Sequence, residues 1–100
     1  MATEKEPISP AAFYLIPQLE RLMAHPLATQ ADLDQWNAEA DKVDKTRRDV
    51  FPDFEPPDIY YHFLSDPDIR IRDKGYLELQ HKLVSEYIAR LRDQIQAGAG

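Results

Sequence analysis

The sequence predicts an all-α fold, a small up-down bundle of four helices, and three observations carry the prediction. Apolar residues recur at three- and four-residue spacing through three long stretches, the period of a helix with one buried face. Prolines stand where those stretches begin or end, at Pro10, Pro26, Pro52 and Pro56-Pro57. Strict alternation of apolar and polar residues, the mark of a strand, is confined to 69–79.

The first helix spans about 10–24. Ser9 reads as its cap, and Pro10 opens the first turn, where a missing N–H does no harm. Leu15, Ile16, Leu19, Leu22 and Met23 share one face. Pro17 falls inside the pattern and cannot bond to the turn before it, so a kink or a split is expected there. His25-Pro26 ends the segment. The second helix spans about 30–49, with Thr29 as cap and Asp32 in the first turn. Leu33, Trp36, Ala40, Val43, Arg47 and Val50 form a narrow seam on an otherwise charged helix. Trp36 is assigned to the core. Arg47 is expected to pack its stem and send its charge to water. Pro52 closes the helix, and 51–57 is a stiff connector.

A short third helix follows at 58–64, capped by Asp58. Ser65-Asp66-Pro67-Asp68 reads as another start, leading into a helical turn at 67–73 with Gly75 as hinge or cap. The same stretch also fits a β-hairpin at 69–79, because Ile69 and Ile71, then Leu77 and Leu79, alternate across Asp73-Lys74-Gly75. A lone hairpin is marginal in water, which favours the helical turn. The fourth helix spans about 76–96. Leu77, Val84, Ile88, Leu91 and Ile95 form its face, widened by Tyr76, Leu83 and Tyr87. That broad face leaves surplus apolar surface for a second copy, so a homodimer stays open. Residues 1–8 are expected to be flexible, 9–97 to form one helical domain, and 98–100 to be a flexible tail.

The chain has 100 residues, of which 43% are hydrophobic, and no cysteine. A core without disulfides is therefore within reach, and thiolate chemistry is excluded. The longest apolar run, 11–16, is far too short to cross a hydrocarbon layer about 30 Å thick. The first residues lack the cationic and apolar regions of a secretory leader. A cytoplasmic location away from membranes is expected. Net charge is −6, which sets the chain against phosphate backbones and so against direct nucleic-acid binding. Residues 29–55 hold eight acids against four bases, whereas 75–100 hold three of each. The acidic middle would steer toward a basic partner.

Catalytic and metal patterns are thin. Glu78 and His81 have the Glu-x-x-His spacing of carboxylate metal bundles, but it occurs once and the other helices lack matching glutamates. Asp58 and His62 stand four apart, an arrangement that can orient an imidazole or simply start a helix. There is no glycine-rich phosphate loop and no calcium-loop spacing. Arg70, Arg72 and Lys74 form a small basic cluster suited to pairing with the aspartates around it. Nothing in these patterns requires a cofactor.

The functional signal lies in 51–68, which holds five aromatic rings and four prolines among acidic residues. Ile59, Tyr60, Tyr61, Phe63 and Leu64 surround most of a two-turn helix, so some are expected to face outward. Phe54, Asp58, Tyr60, Tyr61 and Phe63 are the candidate partner-binding residues, with Asp53 and Glu55 completing a charged rim. Rings of this kind give large contact area at small entropic cost. Asp58-Ile-Tyr-Tyr61 resembles the tyrosine-pair segment of nuclease-bacteriocin immunity proteins, with His62 standing where that family has proline. The resemblance covers these four residues and the coarse helix order. It implies an acidic four-helix protein that binds a basic nuclease through its second and third helices. The expected function is a non-enzymatic protein–protein interaction module, an adaptor, chaperone or regulatory subunit. An immunity or inhibitor protein for a basic toxin or nucleic-acid enzyme is the sharper form. A small metal-dependent enzyme or sensor built on His62 or His81 is the alternative from another class.

Overall fold

The computed structural model describes residues 10–99. Five helices follow one another: α1 (Pro10–Ala24), α2 (Gln30–Val50), α3 (Asp58–Ser65), α4 (Pro67–Arg70) and α5 (Lys74–Ala99). No strand occurs among the described residues, so the all-α fold holds and the hairpin alternative at 69–79 does not. That stretch folds instead as the end of α4, a turn and the first turns of α5. Helix α1 packs between α2 and α5, and α3 with α4 closes the opposite side between the same two helices. The bundle thus keeps four corners, with the third helix broken in two.

Each boundary has a local cause. Helix α1 runs from Pro10 to Ala24 with Pro17 inside it, so of the kink or split expected there the split does not occur. Pro17 is exposed, as is Phe13, the residue whose carbonyl it leaves without the usual helical N–H. The expected cap, Ser9, lies outside the described residues. Helix α2 opens with a reciprocal capping box: Asp32 N–H donates to Thr29 Oγ1 (3.1 Å) and Thr29 N–H to Asp32 Oδ2 (3.2 Å). Ala28 N–H also donates to that carboxylate, and these bonds hold it below the usual carboxylate range. Helix α2 ends where Phe51 N–H meets Arg47 O at 2.8 Å. Val50, expected on the seam, is exposed, because Phe51 one residue later takes the inward position against the Tyr14 ring.

Helix α3 begins without a side-chain cap. Its N-cap is Pro57, and Asp58 is its first residue, favourably placed against the helix dipole but not a capping group. The break between α3 and α4 falls at Asp66, whose ψ of 28° and φ of −114° lie outside helical values. Pro67 follows it, and a residue before proline is pushed out of the α region. Asp66, not Ser65, therefore precedes α4. Helix α5 starts earlier than expected, because Asp73 Oδ1 accepts the Tyr76 N–H at 3.0 Å. Gly75 consequently sits inside the first turn, without a positive φ, and is neither hinge nor cap. The backbone stays helical through Ala99, past the expected end at 96 and into the stretch expected as a tail.

The core is lined by Leu15, Leu19 and Leu22 of α1, Trp36 and Val43 of α2, Tyr60 and Phe63 of α3, and Val84 of α5. Trp36 is central, as expected. Its indole N–H donates to Leu22 O at 2.9 Å, satisfying a carbonyl at the end of α1. Its ring meets the Phe63 ring edge-on, with centroids 5.3 Å apart.

Candidate functional site

The end of α2, the connector and α3 meet around one side chain, Arg47. It is buried, contrary to the expectation that its charge reaches water. Arg47 Nε donates to Asp44 Oδ1 (3.1 Å), Nη2 lies 3.0 Å from the same oxygen, and Nη1 donates to Phe54 O (3.2 Å). The guanidinium also lies over the rings of Tyr60 and Tyr61, 5.5 and 5.8 Å from their centroids. Asp44 in turn accepts from the Tyr60 hydroxyl (2.9 Å) and pairs with Arg48. Burial, and then the bond to Asp44, push the Tyr60 hydroxyl far above the ordinary phenol range. One carboxylate and one guanidinium thereby pin the connector and α3 to α2.

Of the five candidate residues, the structure gathers Phe54, Tyr60 and Tyr61 around this ion pair. Only Tyr61 presents a broad ring surface. Tyr60 is 1% exposed and Phe63 is 0% exposed, whereas Tyr61 is 37% exposed. Phe54 is half-buried, and Asp58 is exposed. Tyr60 and Phe63 are therefore core residues and cannot be a docking surface. The expectation overlooked what closes over them: the Asp44–Arg47 pair and Phe54 at Tyr60, and Trp36 with the Arg70 guanidinium of α4 at Phe63. The outward side of α3 is Asp58, Tyr61, His62 and Ser65, at helical spacing.

Tyr61 is held in place. Its ring meets Tyr60 edge-on at 5.3 Å, and its hydroxyl donates to Glu55 Oε2 at 3.2 Å. Partial burial, followed by the nearby carboxylates, raises its pKa, with Arg47 opposing. Asp53, Glu55 and Asp58 are exposed around it, and none of the three forms an ion pair among the described residues. The nearby cations are already engaged: Arg47 and Arg48 by Asp44, and Lys45 by Asp49 at 2.6 Å.

The other candidate groups do not assemble. His62 lies 3.8 Å from Asp66 rather than pairing with Asp58. Glu78 is exposed, while His81 is half-buried with its ring 6.2 Å from Phe63. No group of three or more His, Asp or Glu is placed to hold a metal ion among the described residues. The basic cluster disperses: Arg70 enters the core, and Arg72 Nε donates to Asp68 O at 3.1 Å. Leu83, expected to widen the apolar face of the fourth helix, is exposed on α5, as is Leu79. No described helix is long and apolar enough to cross a membrane. No family model, no curated protein and no solved structure matches the chain.

Proposed function

We propose that this protein is a non-enzymatic interaction module whose contact surface centres on Tyr61, with Phe54 beside it and Asp53, Glu55 and Asp58 as a charged rim. The observation that carries the reading is the outward Tyr61 ring, held by Tyr60 and Glu55, amid carboxylates that form no ion pair among the described residues. An aromatic side chain already fixed by neighbours loses little entropy on docking, and unpaired acids favour a cationic counterpart. The experiment is affinity measurement on a partner recovered from the native host, with wild type and Tyr61→Ala compared side by side. Loss of the ring should weaken binding by roughly thirtyfold or more while the far-UV spectrum is unchanged. Undiminished binding by the variant removes Tyr61 from the interface and overturns the proposal.

A second reading, an immunity or inhibitor protein for a basic toxin, is favoured by the same unpaired carboxylates. Only one ring of the tyrosine pair is available to it, since Tyr60 is core. Charge steering predicts an association rate that falls steeply with added salt. A tight complex formed at a salt-independent rate speaks against it.

A further inference from the structure

We propose that the joint between α3–α4 and the start of α5 is an acid-sensitive latch. Protonation of His81 beside the buried Arg70 guanidinium loosens the joint, while α1 and the C-terminal half of α5 stay packed. The proposal is independent of the interaction surface around Tyr61.

Arg70 is the structural reason. It comes from a helix of four residues, yet it is only 3% exposed. Its guanidinium lies over Phe63 (4.5 Å) and Trp36 (4.7 Å). Nη1 donates to Phe63 O at 2.8 Å and to the Gln80 side-chain oxygen, and Nη2 is buried without a hydrogen-bond partner. Arg70 forms no ion pair among the described residues. Its charge is answered at longer range by the carboxylates of Asp66 and Asp68, and through a relay: Gln80 Nε2 donates to the Tyr76 hydroxyl (3.0 Å), which donates to Asp66 Oδ2 (2.7 Å). Burial pulls its pKa down to about 10, so it remains a cation at neutral pH. A buried cation held by ring faces and amide dipoles has little tolerance for a second positive charge nearby.

His81 would supply that charge. Its ring packs against the same Phe63, and burial, then the Arg70 charge, hold the imidazole below its ordinary range. No counter-charge is paired with it among the described residues. From the α3–α4 junction, Asp66 is committed to Tyr76 and lies near exposed His62. From α4, Arg70 is the charge that acts on it, and the Asp68 carboxylate is exposed. On α5 itself, Glu78 and Lys82 are exposed and screened by water. The sign follows from linkage. The closed joint disfavours the proton and the open joint accepts it, so the open state binds more protons once pH falls below the ordinary histidine value of about 6.5. The latch is at full strength above that pH and weakens as pH drops through it toward the lower value of the closed state.

Amide hydrogen exchange on the full chain tests this, at about pH 7.5 and about pH 5 with intrinsic rates corrected. Opening within 60–70 and 76–82 should rise at the lower pH by roughly threefold or more relative to α1. His81→Gln should abolish the rise, and His81→Lys should show the opened level already at the higher pH. His25→Gln and His62→Gln should retain the wild-type rise. A rise that persists in His81→Gln, a rise equal across α1, or a His81→Lys protein indistinguishable from wild type at the higher pH each overturns the latch.

Discussion

Tyr60 and Tyr61 are neighbours in sequence, yet they do opposite things. Consecutive helical residues project about 100° apart, so a helix packed on one side buries one and exposes the other. Tyr60 turns inward to the Asp44–Arg47 pair, and Tyr61 turns outward to Glu55. The consequences for stability differ accordingly. Tyr60→Ala should cost about 3–5 kcal/mol, from the cavity and from the lost bond to Asp44. Tyr61→Ala should cost about 1 kcal/mol or less, typical of a side chain near the surface. Urea unfolding of the two single variants checks the contrast. A double alanine variant would mix a folding defect with a surface change, which makes Tyr61→Ala alone the informative substitution. Arg47 and Arg70 show the same inversion of expectation. Both are charged, both are core, and each lies over two aromatic rings.

At the scale of elements, helix ends decide the architecture. The Thr29–Asp32 box fixes where α2 starts, and Asp66-Pro67 breaks what would otherwise be one helix from 58 to 70. The break matters because it lets α4 turn across the bundle and deliver Arg70 between Trp36 and Phe63. The start of α5 is set by Asp73, which leaves Gly75 helical and exposed. A Cβ at Gly75 would meet only Asp73 Oδ1, at 3.4 Å, an ordinary van der Waals contact. Gly75→Ala should therefore stabilise the protein by about 0.5–1 kcal/mol, through lower chain entropy in the unfolded state. A shift of the denaturation midpoint to higher urea checks it. A loss of stability would mean that the position needs glycine after all.

At the scale of the whole molecule, two buried phenols tie stability to alkaline pH. Burial pushes the Tyr87 hydroxyl up to about 12, and Tyr60 is raised by burial and by Asp44. The unfolded chain releases these protons near pH 10, whereas the fold keeps them. Stability from both groups is complete below that pH and is lost as pH climbs from there toward 12. Denaturant midpoints measured across this window should fall, with the tyrosinate absorbance of Tyr60 and Tyr87, read as the part lost in their phenylalanine variants, appearing together with unfolding rather than before it. The described residues extend 50 × 27 × 18 Å. Helix α5 alone reaches about 39 Å at 1.5 Å per residue, so it is the spine against which α1, α3 and α4 are laid.

The residue pattern by itself determined the helices and their buried stripes. Leu15, Leu19 and Leu22, the Trp36–Ala40–Val43 seam and Val84–Ile88–Leu91 all recur at helical period, and burial follows from that period. The Thr29 cap was legible for the same reason, since capping acts over three residues. What acts between distant segments was not legible. Whether Tyr60 and Phe63 face solvent depends on Asp44, Arg47 and Trp36 of α2 and Arg70 of α4 meeting them, and no local spacing records that. Whether Arg47 and Arg70 reach water depends on which rings and carbonyls close around them. Periodicity reports one helix face at a time; tertiary packing decides how many faces are covered, and on α3 it left Tyr61 as the exposed ring.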